Sequence, residues 1–168
     1  MKFSNIILGK DVEIDPSSNF NNVDIGDNTR IAKRCSIFGS PEFILEIGKE
    51  CYVGMNTTID GYLEKVTIGA NVSIAQNVHI MSASGPNASK AFQRIFPIER
   101  IPVIIGNDCW IGASSVIMPG VELGKFCIVG VNSFVTKSFP DYSIIGGSPA
   151  KLIRALTDKE IGKLHEGN

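Results

Sequence analysis

Residues 105–140 read IGNDCW-IGASSV-IMPGVE-LGKFCI-VGVNSF-VTKSFP, six consecutive blocks of six residues that each begin with an aliphatic side chain. The same block recurs upstream, in IGDNTR-IAKRCS (25–36), IGKECY-VGMNTT (47–58), IGANVS-IAQNVH (68–79) and LGKDVE-IDPSSN (8–19). A period of six matches neither the 3.6-residue repeat of a helix nor the two-residue alternation of a long strand. It predicts a short strand, a corner and another short strand, repeated along the chain.

The other positions of the block indicate a triangular coil. In the thirteen blocks that run to the next block without an insertion or deletion, the second position is Gly or Ala in eleven, and the fifth is a small Val, Ser, Thr or Cys that we predict to point inward. The fourth position is often Asn, Asp or Gly, which tolerate the left-handed backbone region and therefore indicate a turn. The spacing breaks only after the third block of a triplet, at Phe20, Ile37, Ile59 and Ile80, so every insertion should leave the same corner of a prism.

We therefore predict an all-β protein, a parallel β-helix of about six triangular coils over residues 1–156. One long loop, at residues 81–104, should protrude from it. The run Thr157-Asp158-Lys159-Glu160 has the spacing of a capping box, which predicts a short helix in a C-terminal tail at residues 157–168.

The net charge, the apolar runs and the cysteines limit the kinds of partner and location that we expect for this protein. A formal net charge of −1 over 168 residues gives no electrostatic reason to expect a nucleic acid. No apolar run approaches the roughly 18 residues of a membrane span, and the apolar run at residues 6–8 is too short for a secretory signal, so we expect a cytoplasmic protein without an integral membrane segment. All four cysteines occupy the small inward position, and we expect them to be reduced and structural, without a metal site.

Two longer segments carry a resemblance to a known family. The blocks, the segment PVIIGNDCWIGASSVIMPGV (102–121) and the ending VTKSFPDYSIIGGSPAKLIR (135–154) resemble the hexapeptide-repeat acyltransferases, in particular the maltose, galactoside and polysaccharide O-acetyltransferases. The resemblance implies a left-handed coil, a homotrimer, and acetyl-CoA bound in the groove between adjacent prisms.

The resemblance also implies a set of cofactor-binding residues. The contacts are the backbone of Ala113 and Val131, Thr136 and Lys137 near the pantetheine end, and Lys151 and Arg154 near the phosphates. Trp110 precedes the interior residue Ile111, so we predict that it points outward, where it would flank the cofactor.

Acetyl transfer to a hydroxyl needs a base, and histidine is the side chain best suited to that role near neutral pH. The chain has two histidines, and His79 is predicted to point outward beside the long loop, whereas His165 lies in the tail. The resemblance, however, places the family's catalytic histidine at Gly85. Three alternatives follow: His79 has taken over the role, another group is the base, or acetylation has been lost.

The resemblance assigns the oxyanion donor to the backbone N–H of Ala113. Because Ala113 belongs to the coil after His79, we expect the two groups to lie about one strand spacing apart, near 4.8 Å plus side-chain reach.

On the acceptor side, Asn56 and Asp60 resemble sugar-contacting residues of the family, and Ser84 and Gly85 lie in the loop beside them. The loop cations Lys90, Arg94 and Arg100 would suit an anionic sugar.

We expect acetyl transfer to a hydroxyl of a sugar or glycan precursor by general-base-assisted attack. The alternatives are N-acetylation of an amino sugar and a non-catalytic trimeric binding protein. A γ-class carbonic anhydrase is excluded, since it requires three zinc-binding histidines.

Overall fold

The structure, a computed structural model, describes residues 4–166. Its first three coils each contribute three short strands. Coil one has β1 (Ile6–Leu8), β2 (Glu13–Ile14) and β3 (Asn19–Asn21). Coil two has β4 (Val23–Ile25), β5 (Arg30–Ile31) and β6 (Ser36–Phe38), and coil three has β7 (Leu45–Ile47), β8 (Tyr52–Val53) and β9 (Thr58–Asp60).

The fourth coil is followed by the long loop. Coil four has β10 (Val66–Ile68), β11 (Ser73–Ile74) and β12 (His79–Met81), and the loop contains β13 (Ala83–Ser84), helix α1 (Lys90–Gln93) and β14 (Glu99–Arg100). Coil five has β15 (Val103–Ile105), β16 (Trp110–Ile111) and β17 (Val116–Ile117), and coil six has β18 (Glu122–Leu123), β19 (Ile128–Val129) and β20 (Phe134–Val135). The chain ends with β21 (Ser143–Gly147), β22 (Ala150–Ala155) and helix α2 (Asp158–Leu164).

Equivalent strands of successive coils pair in parallel, so the coils stack into a three-sided prism. Face A is the sheet β1-β4-β7-β10-β15-β18, face B continues from β2-β5-β8-β11-β16-β19 into β21-β22, and face C is the sheet β3-β6-β9-β12-β17-β20. We name the corners after the faces that they join, in chain order A–B, B–C and C–A. All the excursions, including the 81–104 loop, leave the C–A corner, as the spacing predicts.

The inward-pointing residues of the six-residue blocks form the core. From coil two onward, every first-position residue is 0–2% exposed, whereas Leu8 in coil one is 46% exposed because no described strand stacks on that end. From coil two onward, the small fifth position is buried as predicted, and its hydroxyls bond to backbone carbonyls, as Thr29 Oγ1 does to Gly48 O of the next coil at 2.8 Å. No buried side-chain nitrogen or oxygen within residues 4–166 lacks a partner.

The predicted turn positions have the expected backbone. All eight lie in the left-handed region, with φ from 54° to 79°: Asp11, Asn28, Asn56, Asn71, Asn77, Asp108, Gly120 and Asn132. These residue types accept that conformation at little cost. The turn residues at the fourth position and the aliphatic residues at the first position of each block therefore together define the coil.

The last coil is closed by a hairpin, which the repeat does not predict. Strand β21 pairs in parallel with β19, and β22 folds back on β21 in antiparallel pairing. Helix α2 follows, with Thr157 as N-cap and a complete capping box to Glu160, as predicted. No helix in the described part of the chain is long and apolar enough to cross a bilayer.

Candidate active site

His79 begins β12 on face C, and its exposed side chain points outward as predicted. In the parallel register, Thr58 of coil three and Val116 of coil five lie on either side of it. Its ring has no hydrogen bond or ion pair with any other residue in 4–166, so no carboxylate orients the imidazole within one chain. A base at this position is accessible to an acceptor hydroxyl from outside the prism.

Trp110 lies on face B, so it does not share a face with His79. It is 56% exposed, and the register places Ile128, Ile144 and Arg154 in line with it across the sheet. We call these four residues the face B row. The row presents an apolar strip that begins at an indole and ends at a guanidinium.

Ala113 and Val131 stack on each other at the B–C corner, where Asn132 N donates to Ala113 O at 2.9 Å. The backbone N–H of Ala113 has no hydrogen-bond acceptor among the described residues, so it is available to an incoming oxyanion. The residue opposite His79 on the next coil is Val116, and Ala113 precedes it by three positions at the corner. The His79 imidazole and the Ala113 N–H are therefore one coil apart and also offset along the chain. The expected separation of a single strand spacing does not include this offset.

The remaining cofactor candidates divide between two places. Thr136 and Lys137 are exposed at the C–A corner of coil six, and Lys137 Nζ lies 5.5 Å from the Phe139 ring centroid. Lys151 is exposed on β22, at the end of face B, and has no ion-pair partner within residues 4–166. In one chain, face C separates Thr136 and Lys137 from the face B row.

Arg154 is already paired. Its Nη1 and Nη2 donate to the two carboxylate oxygens of Glu160 at 2.8 and 2.9 Å, and Nη1 also donates to Ala155 O. The Arg154 guanidinium, followed by the backbone N–H and hydroxyl of Thr157, lowers the pKa of Glu160 to about 2. Nε and the second hydrogen of Nη2 remain, so one bidentate edge of the guanidinium is open to an anion.

Sequence reasoning did not find this pairing. Glu160 is visible in the sequence only as the fourth residue of a capping box. No spacing rule connects it with a strand residue six positions earlier.

The acceptor candidates also separate. Asn56 lies at the B–C corner, where its side chain accepts from Arg34 Nε at 2.8 Å and donates to Asn77 Oδ1 at 3.1 Å. Asp60 ends β9 at the C–A corner, pairs with Met81 in register and accepts from Tyr62 N at 3.0 Å. Asp60 therefore lies on the strand next to that of His79, whereas Asn56 is part of a ladder of polar side chains at another corner.

Ser84 and Gly85 lie at the start of the long loop, where Ser84 pairs with Glu99 in the β13–β14 hairpin. A Cβ added at Gly85 would lie 2.8 Å from the Cα of Ile98. The position that the resemblance assigns to the family's histidine thus has no room for any side chain.

Comparisons with known proteins identify relatives of this chain. A family model described as the hexapeptide repeat of succinyl-transferase matches residues 102–137. Galactoside O-acetyltransferase of Escherichia coli (strain K12) is 38% identical over 117 residues, which cover 69% of this chain and 56% of the relative. The putative colanic acid biosynthesis acetyltransferase WcaF of the same strain is 33% identical over 69% of this chain and 61% of the relative. The chain thus matches less than two thirds of the length of these relatives.

Solved structures match over most of the chain. AntD, an N-acyltransferase from Bacillus cereus in complex with dTDP and 3-hydroxybutyryl-CoA, has a TM-score of 0.79 at 25% identity, covering 95% of this chain and 88% of that one. A galactoside acetyltransferase in complex with coenzyme A has a TM-score of 0.62 at 29% identity, covering 92% of this chain and 67% of that one.

The six-residue repeat, the triangular coils and these likenesses together define a left-handed parallel β-helix protein of the hexapeptide-repeat class. Within that class, the chain belongs to the hexapeptide-repeat acyltransferase family.

Proposed function

We propose that this chain transfers an acetyl group from acetyl-CoA to a hydroxyl of a sugar or glycan precursor. The observation that carries the proposal is the face B row, an apolar strip that ends beside the cations Lys151 and Arg154. An apolar strip suits the pantetheine arm, and guanidinium and ammonium groups suit phosphates. The likeness to a galactoside O-acetyltransferase and to a structure with bound coenzyme A supports the same assignment.

Acetyl-CoA supplies the thioester whose carbonyl carbon the acceptor oxygen attacks. In the proposed mechanism, His79 accepts the proton of the acceptor hydroxyl and returns it to the departing sulfur. The Ala113 N–H donates to the carbonyl oxygen as that oxygen gains negative charge. No acyl-enzyme is needed, because the four cysteines are buried and the His79 ring forms no hydrogen bond with a serine hydroxyl within residues 4–166.

We further propose that the site is completed between two copies in a homotrimer. Thr136 and Lys137 lie at one corner of the prism, whereas Trp110, Ala113, Val131, Lys151 and Arg154 lie on face B and the B–C corner. A cofactor lying in a groove between neighbouring prisms would contact one group from each copy. We propose a cytoplasmic location as well, where the four free cysteines stay reduced.

The experiment for the proposed function is a panel of sugars and glycan precursors with purified protein and acetyl-CoA, read by release of free thiol. We expect thiol release with at least one hydroxyl acceptor. Calorimetry should show that coenzyme A affinity falls as salt rises and is weaker for the dephospho analogue, because charge-assisted phosphate contacts are worth about 1.5–3 kcal/mol each. Coenzyme A binding without thiol release from any acceptor would instead support the non-catalytic alternative.

A second candidate is N-acylation of an amino sugar, which the likeness to AntD favours. The same panel separates the two, provided that it includes matched amino and hydroxyl sugars. An ester product is cleaved by mild base, whereas an amide product survives, so the stability of the product identifies the bond formed.

A further inference from the structure

A pocket of about 350 Å³ opens at the C–A corner, between the excursions of coils two and three and the long loop. It is lined by the excursions of three successive coils, which supply Glu42 and Phe43 from coil two, Tyr62 from coil three and Arg100 from β14. None of these residues belongs to the set that we assigned to the cofactor. Resting on the proposed function, we propose that this pocket is the acceptor subsite and that it selects a sugar carrying a negative charge, with Arg100 as its anion-binding group.

The backbone around the pocket is held in place. Gly61 N donates to Phe38 O at 2.7 Å and Ser82 N to Asp60 O at 3.0 Å, so the excursions continue the ladder between coils. The fully buried Ser82 hydroxyl lies 2.6 Å from Glu64 O, and Ile101 N donates to Ser82 O, which fixes the base of the hairpin that carries Arg100. A fixed backbone places the pocket's side chains before a ligand arrives.

Arg100 itself is exposed and unpaired. It has no side-chain hydrogen bond or ion pair within residues 4–166, in contrast to Arg154, whose guanidinium is occupied on one edge by Glu160. A guanidinium with both bidentate edges free is suited to a phosphate or a carboxylate.

The other lining residues suit a sugar ring. Tyr62 is 58% exposed, and an aromatic face beside Phe43 provides a flat apolar surface for the C–H face of a pyranose or for a planar base. Glu42 faces the same pocket and accepts hydroxyl hydrogens, but its charge opposes that of an anionic ligand. Removing that charge should therefore strengthen binding of an anion, whereas removing the charge of Arg100 should weaken it.

The pocket is also placed for the reaction. Tyr62 N bonds to Asp60, which pairs with Met81, and Met81 is two residues from His79 on the same outward side of β12. A ligand held by its anionic group at Arg100 would extend along the end of face C toward the histidine. The negative charge can be a phosphate, as in a nucleotide-linked sugar, or the carboxylate of a uronic acid, and both use the same guanidinium chemistry.

The test is binding of four probes, dTDP, glucose 1-phosphate, glucuronic acid and uncharged glucose, to the full chain, measured by ligand-observed NMR with and without saturating coenzyme A. We expect the anionic probes to bind more tightly than glucose. Arg100→Gln should weaken them by about ten- to a hundredfold and leave glucose unchanged, whereas Glu42→Gln should strengthen them. Tyr62→Ala should weaken all four probes.

Arg94→Gln is the matched control, because Arg94 is an exposed cation of the same loop outside the pocket. Preference for phosphate probes over glucuronic acid would identify the source of the charge as a phosphorylated sugar, and the reverse as a uronic acid. Unchanged binding in Arg100→Gln, an equal loss in Arg94→Gln, or no preference for anionic probes would overturn the proposal. Failure of coenzyme A to bind, with anion binding at Arg100 intact, would instead overturn the proposed function.

Discussion

His79 and Gly85 are the two positions considered for a catalytic histidine. His79 is exposed on face C between Thr58 and Val116, and its imidazole is unpaired among the described residues. Gly85 has no space for a side chain because the Ile98 backbone lies against it. A histidine at the latter position therefore needs a different path of the loop, and His79 is the one histidine of the sequence outside the tail.

His79→Ala should lower turnover by about 10²–10⁴ and leave acetyl-CoA affinity nearly unchanged, because a general base acts on the acceptor proton and not on the cofactor. Steady-state kinetics and calorimetry measure the two quantities. His165→Ala is the matched control. The ring centroids of His165 and Phe126 lie 5.8 Å apart in a T-shaped arrangement in the tail, so this change should not affect turnover. An unchanged rate in His79→Ala would exclude the assignment, and adding Gly85→His to that variant should lower stability without restoring activity.

The four cysteines occupy the inward-pointing fifth position of their blocks. All four are free and buried, and burial raises the pKa of the Cys35 and Cys51 thiols. Since the thiolate is the reactive form, we expect the native protein to react with an aromatic disulfide reagent far more slowly than the denatured protein does. Rapid labelling of the native protein would show that at least one thiol is accessible.

At the scale of elements, the hairpin β21–β22 and helix α2 end the solenoid. None of the helix residues is buried, so α2 owes little to a hydrophobic face. Its contacts include the capping box, the Arg154–Glu160 pair and the T-shaped ring contact between His165 and Phe126. The helix is therefore held mainly by polar contacts at its first turn.

Glu160→Gln should reduce protection of the Ile161 amide, which bonds to Thr157 O, in hydrogen exchange at neutral pH. Folding lowers the Glu160 pKa from 4.5 to about 2, so its contribution to stability is fully present above pH 4.5 and is lost as pH falls toward 2. The difference between wild type and variant should accordingly shrink over that interval. Glu166→Gln, an exposed acid of the same segment, should behave as wild type, and a difference that is undiminished at pH 2 would contradict the linkage.

At the scale of the whole molecule, the prism distributes its candidate groups over face B, face C and two corners. The base projects from face C, the face B row faces another direction, and Lys137 stands at the C–A corner. In the proposed trimer, one chain would therefore present parts of a site to two neighbours. A threefold arrangement of prisms would bring complementary parts together in each groove.

We expect light scattering to give a mass three times the 18.1 kDa of the chain at micromolar concentration. Co-refolding two impaired variants, His79→Ala and Lys151→Glu, should recover part of the activity at low acetyl-CoA, because some grooves in mixed trimers receive two intact surfaces. Co-refolding each variant with itself is the control. A monomer at that concentration would exclude both the trimer and the shared site.

The coil could be predicted from the sequence because the information is local and repeated. An aliphatic residue every six positions, a small residue at the fifth and a turn former at the fourth are satisfied within one coil, and each coil repeats the same solution. The same logic placed the side chains of His79 and Trp110 outside the prism and all insertions at one corner. The capping box of α2 is equally local, so the sequence also predicts Thr157 as the N-cap of that helix.

Tertiary structure decided the features that lie outside the repeat. The face on which an outward residue lies depends on its place in the triplet, which separates His79 from Trp110 and offsets it from Ala113. Three features join segments that no repeat relates. They are the approach of the Ile98 backbone to Gly85, the paired hydrogen bonds of Arg154 with Glu160, and the pocket lined by Glu42, Tyr62 and Arg100. Their positions are set by how the excursions pack on neighbouring coils, and that packing depends on contacts between distant residues that no periodicity encodes.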